Sequence, residues 1–173
     1  MDIDTATTAT ASSAGTVMKT TVTKVRPPRH VHPSLLPAMA ERDMLTVFAA
    51  GQDVPPLAPR TVRLDGEQIV QVDGVSPDED LFVIPISYQG VLPEDAGAHL
   101  ARDMFTLSLV SSAHPGSRAV LLFACEEARD SAKALVGGLD RQGEISLEVV
   151  DLGVEWRERL VESTRPAGRH RAG

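Results

Sequence analysis

The chain has one cysteine, Cys125. It stands in AVLLFACEEARDSAKALVGG (Ala119–Gly138), where an apolar run of strand length stops and a helical pattern begins. A thiol at a helix N-terminus can be an activated nucleophile, because that end of the helix favours the thiolate. Glu126 and Glu127 work against this by setting two negative charges beside the sulfur. A cysteine nucleophile also wants a base, usually a histidine. The other segments expected at strand ends, SYQG (Ser87–Gly90) and DLGVEW (Asp151–Trp156), contain none. His99 and His114 fall on the intervening helix and the turn after it, near its opposite ends. Cys125 is therefore read as a structural thiol at the edge of a core. The alternative is an enzyme or small-ligand site at the strand ends, with Ser87, Gln89 and Cys125 as its working residues and Asp151 as a further ligand-binding candidate. Trp156, the lone tryptophan, is either a packing anchor for the last helix or an exposed anchor for a partner, since tryptophan is enriched in binding hot spots.

These residues are placed by an alternation of helices and strands. SLLPAMAERDMLTVFAAG reads as a helix capped by Ser34, with Leu36, Ala40, Met44, Val47 and Phe48 on one face and Gly51 at its end. TVRLDGEQIVQV (Thr61–Val72) carries Asp65-Gly66 between two β-prone runs, which signals a hairpin with a two-residue turn. LFVIPISY (Leu81–Tyr88) is apolar on both faces and suits a central strand, although Pro85 removes a ladder donor. Pro93, Glu94 and Asp95 open a helix that buries Ala96, Leu100, Met104, Leu107 and Val110. AVLLFA is a fully buried strand, and the helix after it buries Ala128, Ala132, Leu135 and Val136 before ending at Gly137-Gly138. EISLEVVDLG alternates Ile145, Leu147 and Val149 as a strand, and a last amphipathic segment holds Trp156, Leu160 and Val161.

Strands alternating with helices predict a small Rossmann-like α/β fold, a parallel sheet with helices on both faces. An N-terminal helix and a β-hairpin are attached to it. The expected organisation is a disordered arm over 1–25, a single α/β domain over 26–164 and a disordered basic tail over 165–173. The domain holds the hairpin at 61–72 and a βαβαβ core at 81–161. Met18 could be an alternative start. In an open parallel sheet ligands bind beyond the carboxyl ends of the strands, which is where the candidate residues lie.

Composition narrows the function. The net charge of −7 argues against a nucleic-acid partner, which needs clustered cations. The arginines near the two ends (Arg26, Arg29, Arg165, Arg169, Arg171) are the only group that could serve one. One cysteine allows no internal disulfide and no zinc cluster. His30 and His32 alternate in a proline-stiffened linker with no third ligand nearby, and Asp78–Asp80 precedes a strand, the wrong end for a cation site. The N-terminus lacks signal-peptide chemistry, and no run approaches the about 18 apolar residues that span a bilayer, which points to the cytoplasm. Abundant Ala, and Arg in excess of Lys, match high-GC bacterial coding. No dinucleotide fingerprint, P-loop or GxSxG elbow is present, so no cofactor or metal is expected.

Two resemblances arise from these residues. ISYQG followed by VLLFACEEA resembles the caspase-like fold, in which a strand ending Ser-Gly-His-Gly precedes one ending Ala-Cys. Ser87, Gly90, Ala124 and Cys125 match, and the catalytic histidine maps onto Gln89. The resemblance thus implies a degenerate copy without protease activity. Over Leu81–Leu160 the order of strands and helices, with a tryptophan after the last strand, is similar to an actinobacterial domain family of unknown function. That similarity implies the fold and no chemistry. The function expected from the sequence is a non-enzymatic α/β module that binds a protein partner or a second copy of itself. An enzyme or small-ligand binder around Cys125 is the alternative.

Overall fold

A computed structural model describes residues 27–28, 31–64, 66–136 and 144–164. The arm, the basic tail, the terminal arginines, His30, Asp65 and Gly137-Gly138 lie outside the described residues, and so does the side chain of Val136.

The chain enters through a single 3-10 turn, Pro33–Leu35, followed by α1 (Leu36–Gly51). Ser34 does not cap this helix. Its hydroxyl pairs with His32 Nδ1 at 2.8 Å, and it lies inside the 3-10 turn, ahead of the first α-helical turn, which carries Pro37. The apolar stripe is as the 3.6-residue period demands: Leu36, Ala40, Met44, Val47 and Phe48 are all buried.

Strands β1 (Ala58–Arg63) and β2 (Ile69–Val75) form the antiparallel hairpin. Arg63 pairs with Ile69, and the Leu64 N–H donates to the Gln68 carbonyl at 2.9 Å. The loop is therefore 65–67, one residue longer than the two-residue turn expected from Asp65-Gly66. Hydrophobic pattern decides the register. A two-residue loop would set Ile69, Gln71 and Asp73 on the face of Val62. The observed register instead joins Val62 and Leu64 with Val70 and Val72 in one cluster. Gly66 does take a positive φ of 83°.

The rest of the sheet is β3 (Leu81–Ile86), β4 (Arg118–Phe123) and β5 (Ile145–Val149), in the order β1-β2-β3-β4-β5. The pairs β3–β4 and β4–β5 are parallel, while β2 joins β3 antiparallel at Gly74↔Val83 and Val75↔Phe82. The sheet is thus mixed, and the hairpin continues it rather than hanging from it. The β2–β3 ladder stops at Val83, two residues short of Pro85, so the missing proline donor costs no bond to β2. Gly74 sits where α1 crosses: a Cβ there would lie 2.5 Å from Leu45 Cδ2.

Two apolar layers enclose the sheet. Phe82, Ile84, Leu121 and Phe123 pack with α2 (Ala96–Ala113) and α3 (Glu126–Val136). Leu81, Val83, Val120 and Leu122 pack with α1 and with Trp156 and Leu160 of α4 (Val154–Thr164). The two faces of β4 divide as its alternation requires. Three details differ from the sequence pattern. Helix α2 starts at Ala96, because Pro93–Asp95 forms a turn in which the Ala96 N–H bonds the Pro93 carbonyl. Leu135 is 48% exposed, since the last turn of α3 extends past the Ala128–Ala132 contact with the core. Val161 is 40% exposed, one position round the helix from buried Leu160. No helix among the described residues is long and apolar enough to cross a membrane.

Candidate functional site

The three parallel strands end on one side of the molecule, and a cleft of about 420 Å3 opens there. Gln89 and Gly90 follow β3, Ala124 and Cys125 follow β4, and Val149 and Asp151 close β5. Glu126 and Glu127 of α3 and Arg157 and Val161 of α4 complete its walls. Gln89, Cys125 and Asp151 are thus brought together as their strand-end positions predict.

Cys125 immediately precedes α3 and is 8% exposed. Its sulfur stands where a capping oxygen would. It accepts the Ala128 N–H at 3.4 Å and the Gly90 N–H at 3.3 Å, and its S–H points toward the Tyr88 carbonyl at 3.8 Å. The positive φ of Gly90, 83°, is open to glycine at no steric cost in the loop that brings this N–H to the sulfur. No histidine among the described residues bonds the sulfur. His114 lies before β4, and Cys125 follows it; the six-residue strand between them spans roughly 20 Å at about 3.3 Å per residue. His114 Nδ1 is 3.7 Å from Glu79 Oε2, and its ring rests on Phe82. His99 is exposed on α2, close enough to Asp103 to favour the ionised form of that carboxyl.

Asp151 accepts the Gly153 N–H at 2.8 Å and faces Arg157 at 3.5 Å. Both side chains are about half exposed, so the pair orients the entry to α4 and adds little stability. With Glu126 and Glu127 also exposed, the rim carries three acidic groups against one cation.

Ser87 does not belong to this cleft. It is buried and faces α1, where its hydroxyl donates to Glu41 Oε1 at 3.0 Å. A second cavity of about 220 Å3 lies there, bordered by Pro37, Glu41, Ser87, Gln89 and Leu160. Trp156 is not a surface anchor either: at 1% exposure it is enclosed between α1 and the sheet. Its indole N–H meets no acceptor in good geometry but lies close enough to the Asp43 carboxyl to favour that group's charge. Sequence reading missed Glu41, Arg157 and Val161. Arg157 and Val161 are four apart on a helix that begins just after Asp151, so their shared face was legible. Nothing in the sequence marks Glu41. Among the described residues no group of three or more His, Cys, Asp or Glu is placed to hold a metal ion.

Burial raises the carboxyls of Glu41, Asp43, Asp73 and Asp103 above their ordinary values. Ser87 opposes the rise at Glu41, Trp156 at Asp43, and Arg102 at Asp73 and Asp103, while Asp73 and Asp103 add like-charge repulsion at Glu41. At these four carboxyls the folded state therefore binds more protons than the unfolded chain. Their contribution to stability is full below the ordinary carboxylate range and is lost as pH rises through the raised values. A urea midpoint higher at pH 5 than at pH 7.5 is expected, and Glu41→Gln should flatten the difference. A midpoint that falls on acidification would contradict the assignment.

Comparison of the chain with protein-family models, with curated proteins and with solved structures returns no match.

Proposed function

We propose that the protein is a non-catalytic α/β binding module that takes a segment of a protein partner at the strand-end cleft. One observation carries the reading: Cys125 is buried and no histidine among the described residues bonds its sulfur, in a cleft that is otherwise open. A nucleophile without a base is a poor catalyst, whereas a cleft with apolar walls at Val149 and Val161 and an acidic rim suits an extended segment carrying Lys or Arg. The caspase-like resemblance, with Gln89 in the place of the histidine, agrees with this. The alternative enzyme site also loses a member, because Ser87 faces the other cavity.

Two measurements test the reading. Iodoacetamide should label Cys125 more slowly than free cysteine at pH 7; faster labelling would favour the enzyme. On a peptide array, Lys- and Arg-containing segments should bind in preference to acidic ones. The triple variant Glu126→Gln, Glu127→Gln, Asp151→Asn should lose that preference, and an unchanged binding pattern would remove the cleft from the function.

A further inference from the structure

The second cavity carries an inference that does not rest on the strand-end cleft. Its wall holds Glu41, whose polar partners are the neutral donors of one residue, the hydroxyl and backbone N–H of Ser87. No Lys, Arg or His among the described residues forms an ion pair with this carboxylate. Among the described residues, the charged groups near it are the further acids Asp73 on β2 and Asp103 on α2. A partly buried carboxylate facing only neutral donors and like charge is electrostatically incomplete. The rest of the wall, from Pro37, Leu160 and the end of β3, is largely apolar.

We propose that this cavity binds a small organic cation, a short alkyl chain ending in a primary ammonium, with the ammonium on Glu41 and the chain against Pro37 and Leu160. A volume of about 220 Å3 is below the roughly 300 Å3 at which pockets for drug-sized ligands begin, so the occupant is small. An ammonium supplies three donors and the missing positive charge, and Ser87 keeps the carboxylate oriented toward it. An alcohol of equal length supplies no charge, and a carboxylate is repelled.

The test is an amide NMR titration of the full chain at pH 7 and constant ionic strength, with n-butylammonium, 1-butanol and butyrate as probes. Saturable shifts at Glu41, Ser87 and Leu160 are expected with butylammonium. Butanol should bind at least tenfold more weakly, and butyrate should produce no saturable shift. Glu41→Gln should weaken butylammonium binding at least tenfold. If that variant does not fold, a weakening in the wild type as the pH is lowered from 7 through the carboxylate range, where Glu41 takes up its proton, serves instead. Equal affinity for butanol and butylammonium, no saturable shift with butylammonium, or binding indifferent to both Glu41→Gln and pH would overturn the proposal. Shifts confined to Gln89 and the residues around Cys125 would also overturn it, because they locate the ligand in the strand-end cleft.

Discussion

Leu121→Asp and Leu122→Asp are each expected to abolish folding. Both leucines have no exposed surface, yet they belong to different clusters on opposite faces of β4. Leu121 lies with Phe82, Leu107 and Phe123 under α2 and α3; Leu122 lies with Met44, Val83 and Trp156 under α1 and α4. A carboxylate at either position would have no cation to pair with and no water. It would also forfeit the burial of a leucine side chain, about 1.5–3 kcal/mol. Mechanisms of this kind exceed about 4–5 kcal/mol, against a total stability of about 5–15 kcal/mol for an ordinary domain. Gln71→Glu, on an exposed position of β2, serves as the control and should change stability by no more than about 0.5 kcal/mol. Circular dichroism and urea denaturation of soluble material read the result. A cooperative transition near the wild-type midpoint in either leucine variant would mean that its face of the sheet is open.

That both faces are covered was legible in the sequence, because β3 and β4 are apolar at successive positions and a half-solvated strand would alternate. The helix stripes were legible for the same reason, with a period of 3.6 in place of 2. The hairpin register was not. Asp65-Gly66 signals a turn, but the length of the loop is fixed by which residues must meet across it, and Val62 with Val70 outweighs the dipeptide. The antiparallel union of β2 with β3 was also hidden, since a hairpin followed by an α/β pattern reads equally well as an appendage.

The composition of the site divides in the same way. Gln89, Cys125 and Asp151 converge because each follows a parallel strand, a consequence of topology. The separation of Ser87 from Cys125 follows from parity once the register of β3 on β4 and the faces of the two strands are known. Leu81 and Val83 face α1, and Ser87 continues their parity; Leu121 and Phe123 face α3, and Cys125 continues theirs. Glu41 could not have been found. A glutamate inside an amphipathic helix is ordinarily solvated, and its partner is 46 residues away in sequence. Only the packing of α1 across the end of β3 turns it inward.

Trp156→Ala should destabilise the protein by about 3–5 kcal/mol, the range for deleting a buried large aromatic. The side chain is 1% exposed and lies in the cluster with Met44, Phe48, Leu122 and Leu160, so alanine leaves a cavity between α1, α4 and the sheet. α4 has a second deep anchor in Leu160, which gives the helix a reason to stay docked while the cavity persists. Trp156→Phe keeps an aromatic ring but removes the indole N–H together with part of the ring volume. Because that N–H has no well-aligned acceptor, the cost should come from the smaller cavity and stay below that of Trp156→Ala. The same residue would behave otherwise as a surface anchor for a partner. Its removal would then leave the urea midpoint within about 0.5 kcal/mol of wild type and act on affinity alone. Urea denaturation of the two variants separates these behaviours without knowledge of the partner. A stable Trp156→Ala would return Trp156 to the surface and would undo the packing of α4 against α1 on which the wall of the strand-end cleft depends.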